Sequence, residues 1–169
     1  DASLIIVSSL NSKKKLKLNY KIFDEKKINV LRFVPKISFN SMNKPISKKY
    51  NLSKNYLYIP NQFWLHKNHD ILINSAYELK KRKYFIQFVL SGDNSLNKEH
   101  FKSLFKKIEN LGLNNYFNYL GMIPRADVSR LIYKSKAVIN PSLFEGWNTS
   151  VEEAKIFKKQ IILSDISIH

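Results

Sequence analysis

The feature that most limits the possible folds is an alternation of short apolar runs with amphipathic segments from Tyr56 onward. The apolar runs are typical of buried strands and cover residues 56–59, 84–90, 115–120, 136–139 and 160–163. Between them, apolar residues recur at helical spacing, most regularly from Phe101 to Leu111, with Gly112 as the expected stop. Strands joined by helical crossovers pair in parallel. We therefore expect an α/β fold, a doubly wound, Rossmann-like parallel sheet with helices on both faces.

The loops that follow these strands are expected to share one edge of the sheet. In a parallel sheet of this kind, ligands bind outside the carboxyl ends of the strands. The loops in question cover residues 61–67, 91–94, 121–124 and 141–150. A binding site built from these loops follows from the topology alone.

The last of these loops, with the helix that follows it, has the most informative sequence. A proline ends the preceding strand because it lacks an N–H, and Gly146 allows a tight turn or a close approach. Asn148, Thr149 and Ser150 are all helix-capping residues, and Thr149 with Glu152 has the spacing of a capping box. The sequence therefore predicts a helix that begins near Ser150 and presents N–H groups and a positive dipole end to an anion.

Two carboxylates bracket this loop, Glu145 within it and Glu153 in the first turn of the helix. An acidic residue at a helix start compensates the dipole without any ligand, so Glu153 also has a purely structural interpretation. The complete string at residues 141–154, however, resembles the donor-binding signature of the group 1 retaining glycosyltransferases, which have the GT-B fold. Trp147 stands where the family has phenylalanine, and Asn148 stands where it has a second glycine.

The resemblance implies a role for each residue of the string. Glu145 would be the catalytic group beside the donor sugar, and Glu153 would accept hydrogen bonds from the ribose. The backbone N–H groups at residues 148–150 would bind the phosphates. The donor-binding residues implied in this way are Lys67, Gly92, Ile123, Glu145, Gly146, Asn148, Thr149, Ser150 and Glu153.

Lys67 occupies the position of the family's lysine, which together with an arginine clamps the donor diphosphate. Gln62 lies near the position of that arginine, so half of the cationic clamp is absent from this sequence. A single lysine beside a helix start is otherwise most often a solvated surface charge. By the same resemblance, residues 122–124 border the nucleotide base, mainly through main-chain contacts.

The resemblance also predicts how the chain is divided. Residues 1–35, with apolar runs at 4–7 and 28–34, are expected to end an N-terminal acceptor domain. Residues 36–54 have little periodicity and are expected to form a linker. Residues 55–169 would then be the C-terminal nucleotide-sugar-binding domain, truncated at its C-terminus.

The implied activity is transfer of a sugar, with retention, from a UDP-, GDP- or ADP-sugar to a saccharide or lipid-linked acceptor of polysaccharide or lipopolysaccharide synthesis. No cofactor and no metal ion are expected, since protein cations would stabilise the leaving diphosphate. This chain alone is expected to be inactive, because GT-B catalysis takes place between two domains. We expect a cytoplasmic location, with peripheral contact to the inner face of an anionic membrane.

The charge leaves other interpretations open. The formal net charge is +16, which favours attraction to polyanions. A basic nucleic-acid-binding protein is therefore one alternative, but no helix-turn-helix, zinc-knuckle or ribonucleoprotein pattern occurs, and no nucleic-acid partner is expected. A nucleotide-sugar-binding protein without activity is the other, favoured by Gln62. The sequence has no cysteine, which excludes disulfides and thiolate metal sites, and no apolar run of membrane-spanning length.

Overall fold

A computed structural model describes residues 2–20, 24–37, 39 and 42–168. Within these residues, the strands form two sheets in which every pair is parallel. The strands are β1 (Ile5–Val7), β2 (Ile28–Val30), β3 (Tyr56–Ile59), β4 (Gln87–Leu90), β5 (Phe117–Tyr119), β6 (Ala137–Asn140) and β7 (Gln160–Leu163). The first two pair with each other, and the other five form one sheet in the order β5–β4–β3–β6–β7. The predicted doubly wound α/β sheet is confirmed.

Helices cover both faces of the larger sheet. The helices are α1 (Leu10–Asn19), α2 (His69–Lys81), α3 (Lys98–Asn110), α4 (Arg125–Lys134) and α5 (Thr149–Ile156). α2 and α3 bury apolar side chains such as Leu72 and Leu104 in one core, and α4 and α5 bury Leu131 and Ala154 in a second core. Because the sheet lies between these two layers, β4 and β6 consist wholly of buried residues. In the part of the chain that the structure describes, no helix is both long enough and apolar enough to span a bilayer.

The smaller sheet pairs β1 with β2, with Ile5 opposite Ile28. α1 connects the two strands and is capped by Ser9, whose hydroxyl oxygen accepts a hydrogen bond of 3.0 Å from the backbone N–H of Ser12. None of the α1 side chains is buried. This follows from the small apolar area that a pair of three-residue strands offers to a helix.

The segment that precedes β3 packs on the larger sheet. Met42 and Ile46 are buried in the same core as α4 and α5. Residues 42–54, part of the segment predicted to be a linker, thus contribute side chains to this core. The sequence did not show this packing because the few apolar side chains there follow neither a helical nor a strand period.

A buried carboxylate fastens this segment to α4. Asp127 accepts hydrogen bonds of 2.6 Å from both Lys49 and Tyr50, and it also pairs with Arg130 at 2.9 Å. Burial alone would raise the pKa of Asp127, but the hydrogen bonds from Lys49 and Tyr50 outweigh burial and hold that pKa below its ordinary value. The carboxylate is therefore charged and fully engaged in a tertiary contact.

Four strands, β1, β2, β4 and β5, are shorter than the predicted apolar runs, and β2 and β4 show the reason. β2 ends at Val30, opposite Val7, and does not extend to residue 34. β4 begins at Gln87, opposite Tyr56, and does not include residues 84–86. In both cases the strand stops where its partner stops, because an apolar residue without a neighbouring strand has no ladder to join.

Candidate functional site

The larger sheet changes its direction of winding beside β3. This strand lies at the centre of the sheet, with β4 on one side and β6 on the other. The chain leaves β3 toward β4 and β5, and it returns to the other side of β3 only with β6. Such a reversal opens a crevice at the carboxyl ends of the two strands, where ligands bind in doubly wound sheets. The loops that carry Lys67 and Glu145 follow β3 and β6, respectively.

Lys67 and Glu145 form an ion pair across this crevice. Nζ of Lys67 lies 2.5 Å from Oε1 of Glu145, and both side chains are largely buried. The same oxygen accepts a longer hydrogen bond, 3.4 Å, from the amide of Asn140 at the end of β6. A backbone hydrogen bond of 2.7 Å from Leu143 to the carbonyl of His66 also joins the two loops. The structure thus brings together the side chains predicted to contact the diphosphate and the sugar.

α5 begins four residues after Glu145. Its cap is Asn148, whose side-chain oxygen accepts a hydrogen bond of 3.3 Å from the N–H of Val151. The prediction of a capping box is wrong, because the helix begins at Thr149 and Glu152 forms an ion pair farther along the helix. The N–H groups at the start of an α-helix have no acceptor within the helix, so those of Thr149 and the next residue are suited to an anion.

Gly146 is held by the α1 segment of the chain. Its carbonyl accepts hydrogen bonds from the hydroxyls of Ser8 and Ser12, at 3.3 and 3.2 Å. The φ angle of Gly146 lies outside the left-handed region, and a Cβ added here would approach only Oγ of Ser12, at 3.7 Å. The turn itself therefore does not require glycine, and the protein leaves room for a side chain at this position.

Glu153 is buried, with 1% of its side chain exposed, and it forms an ion pair with Arg125. Arg125 is the first residue of α4, where the helix dipole disfavours a cation. The ion pair with Glu153 therefore explains an arginine at this position better than stabilisation of α4 does. The sequence analysis missed Arg125. The available signal was an arginine that directly follows residues 122–124, the segment expected to border the base.

Gly92, in the loop after β4, is surrounded by other loops of the same edge. Its φ angle is 148°, and a Cβ added here would lie 2.5 Å from the carbonyl oxygen of Asn61. The N–H of Gly92 donates to the carbonyl of Gly121 at 3.0 Å, and its own carbonyl accepts from the hydroxyl of Tyr119 at 2.8 Å. The fold itself therefore requires glycine at this position.

Gln62, where the family's arginine was expected, pairs with a neighbour in its own loop. The indole N–H of Trp64 donates a hydrogen bond of 2.6 Å to Oε1 of Gln62. Phe63, between them, is buried in the core, and its ring stacks on His69 with the centroids 4.6 Å apart. Phe63 thus anchors the loop after β3 in the core, while the side chains of Gln62 and Trp64 remain accessible.

His69 is a structural residue of this loop. Burial, together with the charges of His100 and Lys67, lowers the pKa of His69 to about 4, so the ring is neutral at neutral pH. Neither ring nitrogen has a hydrogen-bond partner among the described residues. In that same part of the chain, no group of three His, Asp or Glu side chains is placed to hold a metal ion.

Ile123 lies in the loop between β5 and α4. Its side chain packs against the core beneath α4 and α5, whereas the neighbouring Met122 is exposed. The main chain of this loop is therefore more available than the side chain of Ile123. This arrangement is compatible with the main-chain contact predicted for Ile123.

The crevice continues toward the smaller sheet. A cavity of about 200 Å³ lies between the Phe144–Glu145 part of the loop and Lys15 of α1. A second cavity, of about 440 Å³, is bordered by Trp147 and Arg32. Nζ of Lys15 lies 4.0 Å from the centroid of the Phe144 ring, a cation–π contact that joins the two sides.

The sequence profile of the family described as "Glycosyl transferases group 1" matches residues 42–169. The chain belongs to this family. The family membership predicted from the string at residues 141–154 is thus confirmed. Comparison with curated protein sequences finds no match.

Solved structures show the same fold as this chain. A glycosyltransferase from Rickettsia africae superposes with a TM-score of 0.80 and 21% identity, covering 99% of this chain and 45% of its own. HepE from Anabaena, solved with UDP-glucose, gives a TM-score of 0.81 and 20% identity over 97% of this chain and 45% of its own. TarM from S. aureus gives a TM-score of 0.72 and 20% identity over 98% of this chain and 30% of its own. The predicted GT-B fold is confirmed, and the chain spans less than half the length of each of these proteins.

The residues predicted for the donor site fall into three sets. Lys67, Glu145, Gly146 and residues 148–150 lie on the two loops that the ion pair joins across the crevice or in the first turn of α5. Glu153 lies farther along α5, where it pairs with Arg125. Gly92 and Ile123 instead make contacts with neighbouring loops and with the core. Among the described residues, no hydrogen bond connects either of them to the ion pair.

Proposed function

We propose that this chain binds the nucleoside diphosphate of a sugar nucleotide in the crevice between β3 and β6. The observation that carries the proposal is the ion pair of Lys67 with Glu145, which places a cation and a carboxylate from two loops near the start of α5. The Anabaena and S. aureus structures contain UDP, which favours UDP over GDP or ADP. No cofactor or metal ion takes part in this proposal.

The chemistry assigned to these groups follows from where charge develops. As the bond between the anomeric carbon of the sugar and the diphosphate breaks, the leaving diphosphate gains negative charge. An acceptor hydroxyl forms the new bond to that carbon on the same face, and its proton passes to the leaving diphosphate. Lys67 and the amino end of α5 stabilise that charge more in the transition state than in the ground state, which lowers the barrier. Glu145, held by Asn140, accepts a hydrogen bond from the reacting sugar. We assign retention at the anomeric carbon to this reaction.

Glu153 binds the ribose in this proposal, and Arg125 moves aside to admit it. The guanidinium group can do so because 56% of the Arg125 side chain is exposed, whereas the carboxylate of Glu153 is fixed inside the fold. Two ribose hydroxyls replace one guanidinium group as donors to the same carboxylate. The burial of Glu153 is therefore compatible with ribose binding, provided that the guanidinium group of Arg125 moves away from the carboxylate.

Transfer requires a second domain. We assign residues 1–35 to the end of an acceptor domain and the following part to a nucleotide-sugar-binding domain, with a saccharide or lipid-linked acceptor in the cleft. Holding the acceptor beside the donor supplies roughly 7–11 kcal/mol of the barrier, which the donor side alone does not provide. This chain, spanning 45% of the Rickettsia protein, is expected to bind the donor without transferring it.

The first test is binding of UDP, GDP and ADP to the chain by calorimetry. Replacing Glu153 with alanine removes hydrogen bonds to a charged acceptor, each contributing about 1.5–3 kcal/mol, so UDP affinity should fall by roughly ten- to a hundredfold. Glu152→Ala, at the neighbouring position of the same helix, is the matched control and should leave affinity unchanged. Failure of all three nucleotides to bind would refute the proposal.

The second test uses the whole protein. Glu145→Gln should lower turnover much more than it lowers UDP affinity, because its partner is the reacting sugar. The anomeric configuration of the product, read by nuclear magnetic resonance, should match that of the donor. An inverted product would contradict retention. If the wild-type protein binds UDP-sugar but never transfers it, the second candidate function, a nucleotide-sugar-binding protein without activity favoured by Gln62, is correct.

A further inference from the structure

We propose that the amino edge of the larger sheet binds an anionic phospholipid membrane, with lysines against the headgroups and two aromatic rings at the acyl boundary. The amino edge is defined by the segments that precede the five strands, at residues 53–55, 80–86, 112–116, 133–136 and 157–160. Because all five strands are parallel, these segments lie at one side of the sheet, opposite the crevice. The inference therefore does not rest on nucleotide binding.

Positive charge is concentrated at this edge. Its segments contain no aspartate or glutamate, and their cations are Lys54, residues 80–83, Lys134, Lys136, Lys158 and Lys159. The loops at the carboxyl edge, residues 61–67, 91–94, 121–124 and 141–150, together contain one lysine and two acidic residues. A lysine-rich composition alone would supply cations to both edges. The uneven distribution instead gives the domain one strongly basic end that attracts polyanions.

The helices explain part of this charge but not all of it. The carboxyl ends of α2, α4 and α5 lie at the amino edge, where lysines compensate the helix dipoles. Lys54 and Lys136, however, belong to no helix, and both are exposed. Among the cations of this edge, and within the described residues, only Lys81 has a carboxylate partner, Glu78 at 2.9 Å. The protein therefore leaves most of this positive charge uncompensated.

One lysine of the edge shows the effect of this crowding. Nζ of Lys159 donates to the carbonyl of Ser135 at 3.1 Å and lies 5.6 Å from the centroid of the Tyr133 ring. Burial, and after it the charge of Lys136, lower the pKa of Lys159 below its ordinary value. A negatively charged surface placed against this edge would offset the repulsion between the two lysines.

Two exposed aromatic side chains stand beside these cations. Tyr84 and Phe85 directly follow residues 80–83, and 68% and 57% of their surfaces are exposed. The ring of Phe85 packs on that of Tyr116 with the centroids 5.1 Å apart, and the Tyr116 hydroxyl donates to the carbonyl of Tyr84 at 2.9 Å. The pair is thus held on a fixed support with its rings accessible. Aromatic rings beside lysines are typical of surfaces that lie at the headgroup level of a membrane.

The type and arrangement of these side chains favour a membrane over a nucleic acid. The cations come from four segments along the edge of a sheet that is about 19 Å wide, so they form a broad surface. All of them except Arg82 are lysines, which act as point charges, whereas the guanidinium fork suits nucleic-acid recognition. The ring of Phe85 gains from an apolar environment, which the acyl boundary of a bilayer provides.

The experiment measures co-sedimentation of the chain with vesicles of about one part phosphatidylglycerol to three parts phosphatidylcholine. A lysine near such a surface contributes about fivefold to the partition coefficient, so Lys54→Gln with Lys136→Gln should weaken binding roughly twentyfold at low salt. Phe85→Ser keeps the charge but removes the ring, and it should weaken binding about fivefold. Vesicles of phosphatidylcholine alone should bind the wild-type chain far more weakly.

The matched control is Lys98→Gln with Lys102→Gln. Both lysines are exposed and lie in the first turns of α3, toward the carboxyl edge. The same charge is lost, but at a distance from the lipid greater than the Debye length of about 10 Å, so vesicle binding should be nearly unchanged. UDP affinity should be the same with and without vesicles, because the two sites lie at opposite edges. Urea denaturation of each variant separates loss of the fold from loss of binding.

The possible results separate this inference from its alternatives. If the wild-type chain does not bind the anionic vesicles, the inference is wrong, whether or not the chain binds UDP. Equal losses in the Lys54/Lys136 variant and in the control would show attraction without a defined surface and would overturn it. Unchanged binding of Phe85→Ser would refute insertion of the rings. Tighter binding to duplex RNA than to vesicles, with the same losses in the edge variants, would assign the edge to nucleic acid.

Discussion

The loops after β4 and β6 lie at the same edge of one sheet, and each contains a glycine, yet the two glycines have different surroundings. Gly92 is enclosed by neighbouring loops, and both of its peptide groups are hydrogen-bonded within the protein. Gly146 has free space where a side chain would lie, and the adjacent Phe144 is exposed. The space where a side chain would lie is filled by the protein at Gly92 and is largely open at Gly146.

This difference separates two reasons for finding a glycine near a binding site. At Gly92 the reason is the fold, because any side chain would meet the backbone of Asn61. At Gly146 the fold supplies no such reason, because an added Cβ would meet only Oγ of Ser12, at 3.7 Å. Resemblance to a family motif assigns both residues to the donor site without distinguishing them. The following substitutions test the distinction.

The largest effect is expected for Gly92→Ala. The new Cβ would lie 2.5 Å from the Asn61 carbonyl oxygen at a φ of 148°. Backbone strain and overpacking, each about 1–3 kcal/mol, should together lower the free energy of unfolding by roughly 4 kcal/mol. Urea denaturation measures it. Gly121→Ala, at a φ of 69° with no atom within 4 Å of the new Cβ, is the control and should cost only about 1 kcal/mol.

The next largest effect is expected in the pH dependence of the free energy of unfolding. It comes from His69, which is buried next to the loop after β3. Desolvation lowers its pKa from 6.5 to about 4 in the folded protein. Below pH 6.5 the unfolded chain takes up a proton that the folded chain refuses, so stability is complete above pH 6.5 and is lost as the pH falls to 4. At about 1.4 kcal/mol for each pH unit in that interval, the loss should be roughly 3 kcal/mol.

The control for this prediction is His69→Phe, which keeps a ring against Phe63 but cannot titrate. Urea denaturation from pH 7 to pH 4 should show a smaller loss of stability in the variant than in the wild-type protein. Equal losses in the two proteins would mean that other groups cause the acid sensitivity.

A smaller effect is expected at the open loop, where Asn148 caps α5. Asn148→Ala removes the acceptor of the Val151 N–H and should lower the free energy of unfolding by about 1 kcal/mol. Asn148→Ser retains a capping oxygen and should restore most of that loss. A loss as large as that of Gly92→Ala would show that this loop is as tightly packed as its neighbour.

The smallest effect on stability is expected for Gly146→Ala. The new Cβ would make an ordinary contact of 3.7 Å with Ser12, so the free energy of unfolding should change by less than about 0.5 kcal/mol. Affinity for UDP-glucose, measured by calorimetry, should nevertheless fall at least tenfold, because the new methyl group would occupy part of the proposed donor site. Unchanged affinity would remove Gly146 from the proposed donor site.

The fold was predictable because each larger-sheet strand is a compact apolar run and most helices carry a clear apolar stripe. These patterns are local, so they can be recognised in the sequence without knowing which residues pack against them. Residues 42–54 were not predictable in the same way, since Met42 and Ile46 are buried by elements far along the chain. The capping box failed for a different, local reason, because Asn148 caps the helix and Glu152 pairs with Lys155 in the same helix.

Most residues of the candidate site were predicted from one continuous string at residues 141–154, and Lys67, Gly92 and Ile123 were predicted from other loops. Glu145 and Glu153 are found in that way, and so is the start of α5. Arg125 was missed because its contact with Glu153 joins residues 28 positions apart and leaves no trace in spacing. The pairing of Gln62 with Trp64 is close in sequence, but two residues of these types at this spacing are common in any loop. The hydrogen bond by which the indole N–H of Trp64 orients the Gln62 amide is visible only in the folded structure.

The hydrogen bonds between Asp127 and the segment before β3 limit where a stable fragment of the chain can begin. A fragment that begins at residue 55 would lack Lys49 and Tyr50, leaving the carboxylate of Asp127 in α4 with only Arg130. Without these two donors the carboxylate of Asp127 is less well compensated, so the shorter fragment should be less stable. A fragment that begins at Met42 keeps these contacts. A cut between the two sheets that keeps these contacts therefore belongs ahead of Met42.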